Sequence, residues 1–308
     1  MKQIIKLSCV LSYLPSRIRG AVLSMSGYEQ SNLQEIRLRL GRKLTVTLGS
    51  KEYFLSRSGK LSESPQDSLD ITSDDINYVF KLAVRESVHS FRREIAKGYV
   101  TVNGGCRIGF CGTAVSDTPD STGIYNVKDI SSVNIRIARE IIGCSEELYE
   151  KAFADGICGL LVAGPPSSGK TTVLRDLARR LGSISSVSLI DERCEIASVC
   201  GGVPQNDVGV KTDVFSSYDR YDGLVTAVRV MSPKIIVCDE IGSREDGKAL
   251  VYAVNSGVKL IASCHCSSIS EAKSKPLIKK LLKLGAFDCI ALLGVAAKCG
   301  RLVDLAKI

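Results

Sequence analysis

Apolar and polar residues follow two different rhythms along this chain, and the rhythm changes near the middle. In the first part the period is two. Glu35-Ile-Arg-Leu-Arg-Leu40 alternates charged and apolar residues, turns at Gly41-Arg42, and resumes as Leu44-Thr-Val-Thr-Leu48. That pattern predicts a β-hairpin with one buried face. Tyr99-Val-Thr-Val102, Asn103-Gly104-Gly105 and Arg107-Ile-Gly-Phe110 predict a second hairpin, and Val133-Asn-Ile-Arg-Ile137 a last strand. Helical spacing appears between them. Thr72 is placed to cap a helix with Asp75 in its first turn and Ile76, Val79, Phe80, Ala83 and Val84 inward. Leu7, Val10, Leu11 and Leu14 share a helical face near the N-terminus. An antiparallel sheet with a few helices is expected over residues 1–143, with a candidate sub-boundary in the polar stretch 61–68.

In residues 144–308 the apolar runs are short and continuous. Ile157-Cys-Gly-Leu-Leu-Val-Ala163, Val187-Ser-Leu-Ile190, Ile235-Ile-Val-Cys238 and the run from Val258 to Ser263 read as fully buried strands. Amphipathic stretches separate them. Thr172 to Leu181 puts Val173, Leu174, Leu177, Ala178 and Leu181 on one face, with Gly182 as the expected stop. A second helical pattern runs from Tyr221 to Met231, before Pro233. Strands alternating with helices predict a mostly parallel sheet covered on both faces, with ligands at the carboxyl ends of its strands. The expected architecture is therefore α/β: a C-terminal domain with a mostly parallel sheet, preceded by an α+β domain with antiparallel strands.

The candidate chemistry lies at those strand ends. Gly164-Pro165-Pro166-Ser167-Ser168-Gly169-Lys170-Thr171 reads G-x-x-x-x-G-K-[ST], between a strand and a helix. Glycines let successive N–H groups point at one anion, which also lies at a helix N-terminus; Thr172 closes the loop's contact with the phosphates. Lys170 is placed to reach the β/γ-phosphates of ATP and the Thr171 hydroxyl to hold Mg²⁺. The bland alternative is an ordinary Gly-rich turn, and the strand–loop–helix order argues against it. Asp239-Glu240, ending a buried strand, fits a second nucleotide motif. Asp239 would support Mg²⁺, and Glu240 would orient the attacking water. His265 ends the next strand, either as a structural residue or as a γ-phosphate sensor. Asp191, Glu192 and Glu195 stand at a third strand end, where they would align Mg²⁺-bound water, pair with basic residues, or simply be solvated.

Composition narrows this reading only a little. The chain has 308 residues, 44% hydrophobic and 24% charged, which suits about two globular domains. No stretch reaches the ~18 uncharged apolar residues of a membrane span. The N-terminal stretch resembles a signal peptide, but Lys6 interrupts it and no small-residue cleavage site follows. An intracellular location is therefore expected. Twelve cysteines are scattered with no C-x-x-C pair, so they read mostly as small buried apolar residues. Cys264-His265-Cys266 lacks the second ligand pair of a zinc site. A net charge of +8 leaves anionic lipid, nucleic acid and acidic proteins all open. Lys275-Pro-Leu-Ile-Lys-Lys-Leu-Leu-Lys-Leu284 is a basic amphipathic stretch. It suits peripheral association with anionic lipid or, as the preferred reading, packing on its own domain. Arg92, Arg93, Arg107, Arg136 and Arg139 fall near turns or strand ends. Arg107 and Arg136 are candidates to reach a γ-phosphate, in their own or a neighbouring chain.

Several longer strings resemble the stage III sporulation protein AA family, related to type II and type IV secretion ATPases. They are Gln34-Glu-Ile-Arg-Leu-Arg-Leu-Gly-Arg42, His89-Ser-Phe-Arg-Arg-Glu-Ile-Ala-Lys-Gly-Tyr99, Gly109-Phe-Cys-Gly-Thr-Ala-Val115 and Asn134-Ile-Arg-Ile-Ala-Arg-Glu140. Asp191-Glu-Arg193, Arg229-Val-Met-Ser-Pro233 and Val237-Cys-Asp-Glu-Ile-Gly242 join them, beside the Gly164–Thr172 loop. The resemblance implies a RecA-like ATPase that assembles as a ring, expected to be a hexamer. It would work on the cytoplasmic, mother-cell side of a secretion-like membrane channel leading to the forespore, with channel proteins as partners. Lys170, Thr171 and Glu240 map onto the family's phosphate, Mg²⁺ and water-activating positions. Two departures stand out. Asp239 occupies a position that is usually Gly in the secretion ATPases, and Cys106 replaces His in the family's Gly-Gly-His-Arg string. A nucleic-acid motor and a nucleotide-gated ring with little turnover are the competing readings. With 6% aromatics, no tryptophan and no interleaving of basic and aromatic residues, no nucleic acid partner is expected.

Overall fold

In a computed structural model the described residues are 2–85, 91, 94–95, 98–115, 126–242, 244–295 and 300–308. Arg92, Arg93 and His89 lie outside them. The chain divides into two compact units, one spanning Ile5–Arg139 and the other Glu140–Ile308 together with Met1–Ile4.

The N-terminal segment opens not on the expected helix alone but on strand β1 (Lys2–Ile5), followed by α1 (Leu7–Leu11), α2 (Ser16–Leu23) and α3 (Gly27–Asn32). Leu7, Val10 and Leu14 are buried all the same, as their spacing predicts. Strands β2 (Leu33–Arg39), β3 (Thr45–Leu48), β4 (Lys51–Leu55) and β5 (Leu61–Ser62) follow, then α4 (Ser73–Ala83), β6 (Tyr99–Thr101), β7 (Arg107–Val115) and β8 (Asn126–Arg136). These seven strands form one antiparallel sheet in the order β5-β4-β3-β2-β8-β7-β6. Val46, Ile36, Ile135, Ile108 and Val100 are successive register partners across five of them. All five side chains are at most 1% exposed. A row of β-branched residues on one pleated face is what the period-two pattern demands. α4 is capped by Thr72, whose hydroxyl accepts from Asp75 N–H while Asp75 accepts from Thr72 N–H. Phe80 on α4 meets Phe110 edge-on, with centroids 5.1 Å apart. The polar stretch after β5 is a turn inside this unit; Ser68 bridges back to Ser56 in antiparallel register.

The second unit begins with β9 (Arg139–Ile142), which pairs with β1 in a two-stranded sheet. Next come α5 (Glu146–Ala152), β10 (Leu160–Gly164), α6 (Lys170–Ile184), β11 (Val187–Asp191) and β12 (Thr212–Ser216). They are followed by α7 (Arg220–Thr226), β13 (Ile235–Cys238), α8 (Arg244–Asn255), β14 (Lys259–His265), α9 (Ile269–Ser274) and α10 (Pro276–Lys283). Strands β15 (Cys289–Leu293) and β16 (Leu302–Lys307) complete the unit. The sheet order is β12-β11-β13-β14-β10-β15-β16. Its first six strands run parallel, and only the β15–β16 pair is antiparallel. β10, β11 and β13 are buried at every position, as strands covered on both faces must be.

Two helices depart from their sequence pattern. α6 does not stop at Gly182 but runs on to Ile184. Gly182 serves close approach instead: a Cβ there would run into Thr212 Oγ1 and lie 2.7 Å from Val208 O. The pattern from Tyr221 to Met231 splits into α7 and one turn of π-helix, Ala227–Met231, ended by Ser232 in a left-handed conformation. The basic helix α10 buries Ile278 and Leu281 against its own unit and leaves Lys279, Lys280 and Lys283 exposed.

Candidate functional site

Strand order decides what meets at the carboxyl edge of the parallel sheet. β14 lies between β10 and β13, and β11 flanks β13. Gly164 at the end of β10 is the register partner of His265 at the end of β14. The loop after Gly164 therefore emerges beside His265, with Asp239-Glu240 on the other side of β14.

The loop itself is held in a tight curl. Ser167 has φ 62° and Gly169 φ 89°, left-handed conformations that turn the chain back before α6 begins at Lys170. Ser168 Oγ is buried and has no hydrogen-bond partner among the described residues. Lys170 is only 6% exposed. Its Nζ donates to Gly164 O at 2.9 Å and Pro165 O at 2.8 Å, and lies 3.0 Å from His265 Nδ1. Burial pulls the Lys170 pKa down from its ordinary value, opposed by the negative charge of Asp239 and Glu240. Pro165, Pro166 and Thr172 complete the loop at partly or fully exposed positions.

Thr171, Asp239, Ser263 and Glu240 form a continuous set. Thr171 Oγ1 donates to Asp239 Oδ2 at 2.6 Å. The other oxygen of Asp239 accepts from the Ser263 hydroxyl, which in turn accepts from Glu240 N–H at 2.9 Å. Glu240 has φ 54°, an uncommon backbone for a non-glycine residue and one the surroundings must enforce. Ser263 holds its N–H, and Arg220 Nη1 donates to its carbonyl at 3.0 Å. Arg220 is itself fixed by Glu192 at 2.7 Å and Asp246 at 2.8 Å.

Both carboxylate oxygens of Glu240 are engaged. Oε1 lies 2.8 Å from His265 Nε2, and Oε2 lies 2.5 Å from Arg193 Nη1. Because the Lys170 ammonium has only protons to offer, His265 Nδ1 must accept and Nε2 must carry the hydrogen given to Glu240. A chain of polar contacts thus runs Lys170–His265–Glu240–Arg193. It borders a cavity of about 520 Å³ lined by Glu192, Arg193, Arg220, Glu240, His265 and Lys275, among others.

The remaining candidates fall elsewhere. Asp191 is buried and spends its carboxylate on the N–H groups of Glu195, Ile196 and Ala197, so it shapes the loop after β11 rather than facing a ligand. Glu192 pairs with Arg220. Arg107 and Arg136 are register partners on β7 and β8 of the N-terminal unit. Arg107 stacks over Tyr99 at 4.9 Å, and Arg136 pairs with Glu35 at 2.8 Å. Burial raises the Glu35 pKa, but hydrogen bonds from Arg136 and Arg37 outweigh it and hold the group below its ordinary value. Cys106 is buried, its thiol pushed up to about 11 by burial, and it accepts from Ala138 N–H at 3.2 Å. Cys264 and Cys266 are buried on either side of His265, and burial pushes the Cys264 thiol up to about 12.

Among the described residues no three His, Cys, Asp or Glu side chains converge to hold a metal by themselves. Mg²⁺ shared with a nucleotide needs fewer protein ligands, because phosphate and water oxygens fill its other positions. The hydroxyl of Thr171 and the carboxylate of Asp239, already in contact, are hard oxygen donors of that kind, and they fit.

Arg193, Arg220 and Ser263 are parts of the site for which sequence reasoning assigned no role. Arg193 carried a signal, since it follows two acids at a strand end. Ser263, inside an apolar run, carried none.

This fold is that of known ATPases. The pilus retraction motor PilT with bound ADP superposes at a TM-score of 0.57, with 15% identity, over 91% of this chain and 79% of that one. The ATPase DotB of Legionella pneumophila gives 0.55 and 13% identity, over 90% and 77%. The likeness is one of fold: a mostly parallel sheet with the G-x-x-x-x-G-K-T loop after β10 and the acid-ended strand β13 two places away. The chain belongs to the family described as "Sporulation stage III, protein AA", whose profile matches residues 6–307. It is 33% identical to stage III sporulation protein AA of Bacillus subtilis over 91% of this chain and 88% of that protein. It is also 27% identical to the uncharacterized protein ycf45 of Cyanidium caldarium, over 53% of this chain and 49% of that protein.

Proposed function

We propose that this chain is a Mg²⁺-dependent ATPase that works as a ring, expected to be a hexamer, to power or gate a secretion-like channel complex in sporulation. One observation carries the reading: Lys170, Thr171, Asp239, Glu240 and His265 converge at the carboxyl edge of one parallel sheet. The loop N–H groups and Lys170 bind the β- and γ-phosphates. Lys170 must first give up its contacts to Gly164 O, Pro165 O and His265. Thr171 and Asp239 hold Mg²⁺, which supplies charge neutralisation of the phosphates when bound. Glu240 orients water in line with the γ-phosphate and takes its proton as the new O–P bond forms and the β–γ bridging bond breaks. His265, in contact with both Lys170 and Glu240, senses the γ-phosphate. Arg107 and Arg136 remain candidates to act from the N-terminal unit.

The sporulation setting rests on family membership and on the 33% identity to the Bacillus subtilis protein. In this reading the ring stands on the cytoplasmic, mother-cell side of a membrane complex and binds its channel proteins. Among the described residues no helix is long and apolar enough to cross a membrane.

Sedimentation of the wild type, Lys170→Ala and Glu240→Gln with Mg²⁺-ATP tests the binding and assembly parts together. The expected result is a nucleotide-bound ring for Glu240→Gln, and neither binding nor a nucleotide-dependent ring for Lys170→Ala. Monomers at every concentration, with ATP bound, would remove the ring from the account.

A further inference from the structure

Glu240 stands with one oxygen on the His265 imidazole and the other on the Arg193 guanidinium. A carboxylate that orients water must turn a lone pair toward it, and here each oxygen already spends one on a neighbouring side chain. The γ-phosphate also brings further negative charge to within a few ångströms of the same carboxylate, which is repulsive unless a cation intervenes. Three basic side chains line the cavity at this point. Arg220 is 13% exposed and fixed by Glu192, Asp246 and the Glu240 carbonyl. Lys275 donates to the carbonyl of His265. Arg193 is different: its side chain is 65% exposed, it sits on the loop after β11, and it reaches Glu240 Oε2 through Nη1. It lies at the far end of the contact chain that starts at Lys170, the residue that must meet the phosphates.

We propose that Arg193 is a γ-phosphate ligand supplied by the same chain, passed from Glu240 to the phosphate when ATP binds. This rests on the ATPase reading above and names the cationic group of that site. A phosphate presents more charge and more oxygens than one carboxylate, so it competes successfully for a forked guanidinium. The transfer does two things at once. It releases Glu240 Oε2 to accept from the attacking water, and it places positive charge where charge shifts during phosphoryl transfer. ADP lacks the group that Arg193 would bind, so in the ADP state the Arg193–Glu240 pair re-forms and the carboxylate is again covered.

The test is calorimetric titration of the full-length wild type, Arg193→Lys, Arg193→Ala and Lys170→Ala with ADP and with a non-hydrolysable ATP analogue, both with Mg²⁺. Binding rather than turnover is read, so the inference does not depend on a rate. Arg193→Ala should weaken the analogue by ~10- to 100-fold, the span of one charge-assisted contact, and leave ADP within about twofold. Retained ADP binding also shows that the variant folds. Arg193→Lys should fall between. Equal loss of both nucleotides, no loss of either, or tighter analogue binding in Arg193→Ala would each overturn the assignment while leaving the phosphate loop intact as a reading. If the wild type binds neither nucleotide, or Lys170→Ala binds both normally, the ATPase reading itself fails and Arg193 loses its role with it.

Discussion

Ser263 shows how much of this site rests on one hydroxyl. It donates to Asp239, accepts from Glu240 N–H, and so fixes the spacing between the group expected to hold Mg²⁺ and the group expected to orient water. Removing it leaves a part-buried N–H and a carboxylate oxygen each short of a partner, at a backbone with φ 54° that needs support. Ser263→Ala should therefore lower stability by about 1–3 kcal/mol in a denaturant titration. It should also cut kcat more than it raises KM, since phosphate contacts are untouched. Ser263→Thr, keeping the hydroxyl, should restore most of kcat; a Thr variant as slow as the Ala variant would show that packing, not the hydrogen bonds, matters. At this scale the sequence was legible where residue type and local spacing sufficed. Gly164 to Thr171 names its own chemistry, and Asp239-Glu240 ends an apolar strand. Ser263 and Arg193 acquire meaning only from the pairing of β13 with β14 and from the loop after β11. Those long-range neighbours leave no mark in periodicity. The same limit explains Asp191, which has the position of a ligand but is consumed by three backbone N–H groups of its own loop.

At the scale of elements, period-two and continuous apolar runs located the strands well, because burial on one or both faces dictates those patterns. Helix ends were less legible. Gly182 reads as a stop, yet α6 passes through it because glycine is needed where the chain at Val208–Thr212 packs against the helix. Intrinsic propensity and packing predict opposite signs for Gly182→Ala. Propensity alone promises a gain of about 1 kcal/mol in a helix interior. The contact with Val208 O, a backbone atom that cannot rotate away, predicts instead a loss of about 1–3 kcal/mol, as for other overpacked sites. A raised thermal midpoint for Gly182→Ala would show that the 208–212 segment yields easily. The π-turn Ala227–Met231 was likewise invisible, since one extra residue per turn barely changes an apolar face over so short a run.

For the whole molecule, the two kinds of sheet, one antiparallel and one mostly parallel, were legible from the change of rhythm. The attachment of the second unit's first segment to α6 was not. Asp176, on the helix that begins at Lys170, accepts from Gly143 N–H at 3.1 Å and from Ser145 N–H and hydroxyl at 2.9 and 2.7 Å. Burial raises its pKa, but the bonds from Ser145, Arg179 and Gly143 outweigh that and hold it below the ordinary value. The segment entering the ATPase-like unit is thus tied to the phosphate-loop helix. The basic helix α10 turns its apolar residues Ile278 and Leu281 inward, which favours packing over insertion into lipid, and leaves Lys279, Lys280 and Lys283 exposed. The charge of +8 neither requires nor excludes an anionic surface as partner.

In the proposed reaction this site turns over ATP with Glu240 as the water-orienting group. Steady-state phosphate release from Mg²⁺-ATP by the wild type and Glu240→Gln, at protein concentrations where the ring is formed, tests it most directly. The account predicts Mg²⁺-dependent turnover in the wild type and a fall of ~10² or more in Glu240→Gln, with ATP still bound. Turnover at the wild-type rate in Glu240→Gln, or a wild-type ring that binds ATP and never releases phosphate, would contradict it.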